Sequence, residues 1–262
     1  MKQIPNLFTL LNLFFGCIAI VFATQAGLAP MYDERGIALT NDLGSQYLYL
    51  PEKIWFASIF IMAAAIIDFL DGFVARLFKA TSEMGKQLDS LADVVSFGVA
   101  PSIIVFQFLR LSYAQQDNGL NTNILLLFPA FILACAGAYR LARFNIDPDQ
   151  SEVFKGLPIP SAGLIIASFP LVYWFERPEW MVKVLYNQWF WYAIIIILSW
   201  LMVSKLPLLS LKFKNYNLKN NLPKLLLAIV AVVSALLLKW LAIPVTIAIY
   251  IIISLIFKNK QA

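Results

Sequence analysis

The chain has no histidine, only two cysteines and few charges, with 13% of its 262 residues being Asp, Glu, Lys or Arg. Each scarcity removes a class of chemistry. Without histidine there is neither an imidazole acid/base nor an imidazole metal ligand. Cys17 and Cys135 both lie inside apolar runs, so neither a disulfide framework nor a thiolate metal site is expected. Any chemistry must therefore run on Asp, Glu, Lys, Arg, Tyr or a metal ion. A chain with 61% hydrophobic residues is not a soluble domain with an ordinary core, and its recurring apolar runs place it in the polytopic membrane class. The first run starts at Asn6 with no small-residue cleavage site and soluble body after it, unlike a cleaved signal peptide. No repeat or low-complexity tract is evident, so one integral domain over residues 1–262 is expected.

A membrane-crossing helix needs roughly 20 apolar residues. Segments 6–25, 54–77, 88–110, 123–144, 161–176, 188–204, 223–240 and 242–257 meet that need approximately. The expected fold is thus an all-α polytopic transmembrane helical bundle of about eight spans. Pro244 makes the turn between the last two a tight hairpin. Basic residues gather on alternate connections: Lys2; Arg76, Lys79 and Lys86; Arg140, Arg143 and Lys155; Lys205, Lys212, Lys214, Lys219 and Lys224; Lys258 and Lys260. The intervening connections hold Arg35, Lys53, Arg110, Arg177, Lys183 and Lys239, with Asp33, Glu34, Asp42 and Glu52 in the first. The positive-inside rule then puts both termini and the basic loops in the cytoplasm, and the expected place is the cell (inner) membrane. The net charge of +5 follows this topological pattern, so no nucleic-acid partner is expected.

The stretch Asp68–Asp93, DFLDGFVARLFKATSEMGKQLDSLAD, stands out. Ionised carboxylates at a membrane border are costly unless paired or metal-bound. Asp68, Asp71 and Ala75 share one helix face at i, i+3 and i+7, with Gly72 and Arg76 on an adjoining stripe. Gly85, Asp89 and Asp93 recur at i, i+4 and i+8 on the following helix. Two antiparallel helices joined by a short loop can thus aim four carboxylates at one point, with Gly72, Ala75 and Gly85 leaving room for a ligand. Four clustered negative charges call for a cation. All-oxygen donors select a hard ion, Mg²⁺, Mn²⁺ or Ca²⁺. Mg²⁺ typically shares carboxylates with substrate phosphates, and two such ions ~4 Å apart suit phosphoryl transfer. Arg76, Lys79 and Lys86 nearby favour an anionic ligand such as a pyrophosphate. Aspartates that merely cap helix ends, or that line a cation or proton pathway in a transporter, are the competing readings. The first needs one aspartate rather than four; the second leaves the glycines and Arg76 without a role.

The pattern D-x2-D-G-x2-A-R-x8-G-x3-D-x3-D, filled by Asp68, Asp71, Gly72, Ala75, Arg76, Gly85, Asp89 and Asp93, resembles the signature of the CDP-alcohol phosphotransferases without departure. That resemblance implies transfer of a phosphatidyl or similar group from a CDP-activated donor to an alcohol, with release of CMP. It implies further that Asp68, Asp71 and Asp89 bind metal, Mg²⁺ or Mn²⁺ as two ions per site with Ca²⁺ a possible occupant. Asp93 would be the general base and touch a second ion. Gly72, Ala75 and Arg76 would contact the CDP moiety together with Asp68 and Asp71, and Gly85 would leave it space. The same likeness implies a homodimer among membrane lipids.

The segments DSLADVVSFGVAP (Asp89 to Pro101), AYRLARFN (Ala138 to Asn145), FKGLPIPSAG (Phe154 to Gly163) and PNLFTLLNLFFG (Pro5 to Gly16) are similar to the integral-membrane, serine-accepting branch of that family. The resemblance covers roughly residues 5–165, the expected catalytic core. It implies CDP-diacylglycerol and L-serine as substrates and phosphatidylserine and CMP as products; a sibling acceptor such as glycerol 3-phosphate or inositol is the alternative. Arg140 and Arg143, at i and i+3, either hold the serine carboxylate or the lipid phosphate, or anchor the helix end. Thr9 and Asn12 either reach the nucleotide or hydrogen-bond between helices. The Gly156-Pro158-Pro160 loop either closes over the site or is a plain turn. Trp174, Trp180, Trp189 and Trp191 read as an interfacial belt, and the Lys205–Lys224 connection as an inside anchor drawn to anionic lipid.

Overall fold

A computed structural model describes residues 4–25, 53–77, 82–115, 122–146, 154–209 and 218–256. Lys79 and the first acidic loop lie outside these described residues. Helix α1 (Ile4–Thr24) packs along α2 (Ile54–Leu77). Helix α3 (Glu83–Asp93) runs through a π-helical turn, Val94–Val99, into α4 (Ala100–Ala114). Ser82 opens α3, its Oγ accepting from the Gly85 N–H at 3.0 Å, which occupies a donor the first turn leaves orphaned. Two 3₁₀ turns, Ile124–Leu126 and Phe128–Phe131, lead into α5 (Ile132–Ile146). After a two-residue strand β1 (Phe154–Lys155) come α6 (Ile159–Leu171), the short α7 (Glu179–Leu185) and α8 (Gln188–Val203). Strand β2 (Pro207–Leu208) pairs antiparallel with β1, and α9 (Leu218–Leu238) and α10 (Ala242–Ile256) close the chain.

Among the described residues, six stretches are long and apolar enough to cross a membrane, and seven if α7 and α8 count as one bent span. The protein is therefore a multi-pass membrane protein built as a helical bundle. Helix α7 meets α8 at 74°, so it cannot extend that span. Its exposed Trp180, with Trp189 just beyond, fits the aromatic belt expected from the sequence, whereas Trp191 is fully buried. The stretch Leu222–Ile256 is not one rod. Lys239 adopts φ 47°, and Ser234 Oγ lies 2.9 Å from Thr246 Oγ1. In a continuous helix, residues twelve apart would be ~18 Å distant, so the chain reverses there, as expected from Pro244.

The column α3–α4 is central: 67% of its most apolar window is buried, against 11% for Leu222–Ile256. Small residues let its neighbours approach closely. A Cβ added at Gly16 of α1 would lie 2.8 Å from Ser96 Cα, and one at Gly163 of α6 would lie 3.1 Å from Phe97 Cα. The π turn has a local cause. Pro101 offers no N–H to the Phe97 carbonyl and its ring crowds that oxygen, so the Ala100 N–H bonds to Val95 O instead. At the far end of the bundle, Trp191 stacks on Phe108 at 4.8 Å, meets Phe169 edge-on at 5.3 Å and donates Nε1 to Leu185 O at 2.9 Å. That cluster ties α4, α6, α7 and α8 together.

Glu83–Ala114 spans 32 residues, roughly 48 Å at ~1.5 Å per residue, and the hydrocarbon core is only ~30 Å thick. The part from Asp93 to Ala114 alone covers roughly 32 Å. The Asp89–Asp93 turn therefore lies near one border of the apolar layer, beside the last turns of α2.

Candidate active site

Helices α2 and α3 bring one carboxylate oxygen each from Asp68, Asp89 and Asp93 to within 4.8 Å of one another. Carboxylate oxygens this close repel one another as anions, so a proton or a cation is needed to offset their charge. The expected focus of four divides into three and one. Asp71 stays within electrostatic reach of Asp68 and Asp89, but its Oδ2 accepts from Thr9 Oγ1 of α1. Thr9 and Asn12 are thus engaged with the aspartates themselves: Asn12 Nδ2 donates to Asp93 Oδ1 at 3.2 Å. The backbone of α1 is held in turn by Ser96 Oγ, which donates to Asn12 O at 3.0 Å. This contact explains why Gly16 must be small. Ser96 was not singled out in the sequence, because its role depends on α1 meeting the π turn from 84 residues away.

Burial sharpens the electrostatics. Asp93 keeps 6% and Asp71 7% of its surface exposed, and charges so placed need a counter-ion or several hydrogen bonds. The donor set offers clustered oxygens only, with no imidazole or thiolate, and so fits a hard divalent cation. Around it there is room. A Cβ at Gly72 would meet nothing within 4 Å, while one at Gly85 would lie 3.0 Å from Ser82 Oγ and 3.2 Å from Asn6 Oδ1. Gly72 therefore faces open space, and Gly85 lets α3 approach the start of α1. Ala75 is half-buried on α2 and Arg76 is exposed one residue on.

The basic residues separate in the same way. Lys86 Nζ donates to Asn145 O at 2.9 Å, and Asn145 Nδ2 donates to Ser90 Oγ at 2.8 Å, clipping α3 to α5. Arg143 donates Nη1 to Val203 O at 2.7 Å and Nη2 to Ser204 O at 3.0 Å, meeting carbonyls that the end of α8 leaves unpaired. Arg140, one turn earlier, points elsewhere. It is buried, packs over the Phe144 ring at 5.7 Å, and lies within electrostatic reach of Asp93 and Tyr250. The Gly156–Pro160 strap is pinned to the same end of α8: Gly156 N donates to Leu206 O at 2.8 Å and Leu157 N to Leu201 O at 3.0 Å. Gly156 has φ 78°, a conformation that favours glycine.

Comparison with known proteins agrees with this geometry. The profile of the CDP-alcohol phosphatidyltransferase family matches residues 2–203. A CDP-diacylglycerol–serine O-phosphatidyltransferase of Helicobacter pylori is 31% identical over 220 residues, which cover 82% of this chain and 75% of that protein. The Bacillus subtilis protein of the same name is 38% identical over 122 residues, 46% of this chain and 64% of that one. An archaetidylserine synthase of Methanothermobacter thermautotrophicus is 40% identical over 117 residues, 44% of this chain and 46% of its own.

Proposed function

Since the chain belongs to the CDP-alcohol phosphatidyltransferase family, we propose that it is a phosphatidylserine synthase, transferring the phosphatidyl group of CDP-diacylglycerol to the hydroxyl of L-serine with release of CMP. The observation that carries the reaction class is the carboxylate cluster of Asp68, Asp89 and Asp93 at the end of two apolar helices. Serine as the acceptor is supported by the serine-using relatives and by the segments Asp89–Pro101, Ala138–Asn145 and Phe154–Gly163.

A hydroxyl is a weak nucleophile at neutral pH, so a carboxylate placed to take its proton speeds the attack. Asp93 is that base. Its Oδ1 is occupied by Asn12 Nδ2, which leaves Oδ2 for the serine hydroxyl. The serine oxygen bonds to the phosphatidyl phosphorus, the bond from that phosphorus to the bridging oxygen breaks, and that oxygen leaves as part of CMP. Asp68, Asp71 and Asp89 would hold Mg²⁺ or Mn²⁺, two ions per site, with Asp93 available to the second. An ion held there would supply positive charge to offset that on the diphosphate as CMP departs. Gly72 and Ala75 give the nucleotide its place, and Arg76 adds a guanidinium for the diphosphate.

The basic connections support a cytoplasmic position for this border of the bundle, where a water-soluble acceptor can meet a lipid-tailed donor. The reading also includes a single integral domain with its catalytic core over about 5–165, working as a homodimer in the cell membrane. The test is CMP release by the purified chain with CDP-diacylglycerol and Mg²⁺ across a panel of alcohols. Release with L-serine is expected. Release with glycerol 3-phosphate or inositol and none with serine would reassign the acceptor.

A further inference from the structure

Among the described residues, four buried side-chain polar atoms have no hydrogen-bond partner: Asn12 Oδ1, Ser58 Oγ, Arg140 Nε and Ser199 Oγ. Two are serine hydroxyls on α2 and α8. Of the other two, one belongs to Asn12, which hydrogen-bonds the Asp93 carboxyl, and one to Arg140, which lies within electrostatic reach of that carboxyl. Asn12 is fully buried and spends its Nδ2 on Asp93, so its carbonyl oxygen is left facing no donor. Arg140 is 6% exposed and within electrostatic reach of Asp93, yet no hydrogen bond joins them. Leaving an acceptor and a cationic donor unpaired inside a protein costs stability, so a buried orphan of each kind around one base calls for a ligand that supplies both partners.

We propose that Asn12 and Arg140 form a two-point clamp for a zwitterionic hydroxy-amino acid, with Asn12 Oδ1 accepting from its ammonium group and Arg140 binding its carboxylate. The clamp rests on the serine reading above and deepens it. An amide oxygen accepts hydrogen bonds and cannot repel a cation, whereas a guanidinium presents a planar fork matched to a carboxylate. Held at both charged ends, the acceptor has its remaining group, the hydroxyl, directed to Asp93. Arg143 takes no part, because its Nη1 and Nη2 are committed to Val203 and Ser204. Phe144 steadies the Arg140 guanidinium from one side through its ring face. The clamp also gives selectivity: an acceptor lacking either charge leaves one buried orphan unpaired, the condition under which sites discriminate most strongly.

The experiment measures CMP release by the full chain at saturating CDP-diacylglycerol and Mg²⁺. The acceptors are L-serine, ethanolamine (no carboxylate) and 3-hydroxypropanoate (no ammonium). Arg140→Gln is expected to raise the serine KM on the order of 100-fold and to lower the ratio of kcat/KM for serine to that for ethanolamine by a similar factor, any effect exerted through Asp93 being common to both acceptors. Arg140→Lys should recover part of the loss. Asn12→Leu also frees Asp93, so kcat falls for every acceptor; the clamp is read in the ratio of kcat/KM for serine to that for 3-hydroxypropanoate, which should collapse toward one. Equal losses for all three acceptors in Arg140→Gln would make Arg140 merely structural and overturn the proposal. So would an Asn12→Leu chain that keeps its acceptor ratio and shifts only the Mg²⁺ half-saturation, which would make the amide oxygen a metal ligand. If Arg140→Gln does not survive extraction, Arg140→Lys carries the same comparison, and an unchanged serine-to-ethanolamine ratio there overturns the clamp. A wild-type chain that uses other alcohols and ignores serine overturns the parent reading and the clamp together; one that uses serine with unaltered variants overturns the clamp alone.

Discussion

Arg143 on α5 donates Nη1 to the Val203 carbonyl at 2.7 Å, joining the end of the fifth helix to the end of the eighth. With the second bond to Ser204, the guanidinium closes a helix terminus whose last carbonyls have no intrahelical donor. Arg140, three residues earlier on the same helix, makes no such bond and lies near Asp93. Two arginines three residues apart thus have different surroundings, one bonded to a helix terminus and one facing the aspartates.

That division is testable. Arg143→Ala should cost about 1–3 kcal/mol of stability, the usual penalty for stranding hydrogen-bonding groups, and lower the melting temperature in detergent. The KM values for serine and for the CDP-lipid should stay unchanged. A raised KM with an unaltered melting temperature would place Arg143 in the ligand site instead.

The three-oxygen cluster predicts how the aspartates respond to substitution. EDTA should abolish CMP release, and added Mg²⁺ or Mn²⁺ should restore it. Asp89→Asn should raise the metal concentration for half-activity at least ~10-fold, since even changes to groups that only hydrogen-bond a metal ligand have effects of that size. Asp93→Asn should lower kcat on the order of 100- to 10,000-fold, the span of general-base contributions, with the donor KM unchanged. Metal titration and donor binding measured on the same preparations separate the two roles. An Asp93→Asn chain that loses donor binding would show that Asp93 acts chiefly as a ligand.

Glycines at Gly72 and Gly16 should behave oppositely. A Cβ at Gly72 meets no atom of the described residues within 4 Å, and alanine improves helix propensity by up to about 1 kcal/mol. Gly72→Ala should therefore hold or raise the melting temperature while raising the donor KM, because the space it fills is the one proposed for the nucleotide. A Cβ at Gly16 would press on the Ser96 backbone at 2.8 Å. Gly16→Ala should cost about 1–3 kcal/mol through overpacking. Thermal unfolding and donor KM, measured on both variants, read the contrast directly.

The stripe from Asp68 to Asp93 was legible because helical spacing fixes which residues share a face, whatever packs against them. The reversal between α9 and α10 was legible too, since Pro244 interrupts an apolar stretch too long for one crossing. What escaped depended on partners far away in the chain. Asp71 is hydrogen-bonded by Thr9, 62 residues earlier. The committed role of Arg143 needs the end of α8, 60 residues later. The angled α7 is seven residues long, too short for its periodicity to announce it. The π turn after Asp93 hides inside a sequence that reads as continuous helix, with Pro101 as the local sign of it.

The last helix makes a prediction of its own, because α10 lies beyond the residues matched to the family. Tyr250 Oη donates to Leu209 O at 2.9 Å, and Leu209 N donates to Ser254 Oγ at 3.1 Å. Leu209 is buried just past β2, which pairs with β1 and so holds the Gly156 strap against the end of α8. Both backbone groups of one buried residue therefore depend on one face of α10. Tyr250→Phe and Ser254→Ala each strand one of them, at about 1–3 kcal/mol apiece. Since the two bonds grip the same residue, the first loss should let Leu209 move and reduce the cost of the second; groups that share a partner show coupling of ~0.5–3 kcal/mol. A double-mutant cycle in thermal or denaturant unfolding should therefore be non-additive. Strict additivity would mean that α10 touches the strap without latching it.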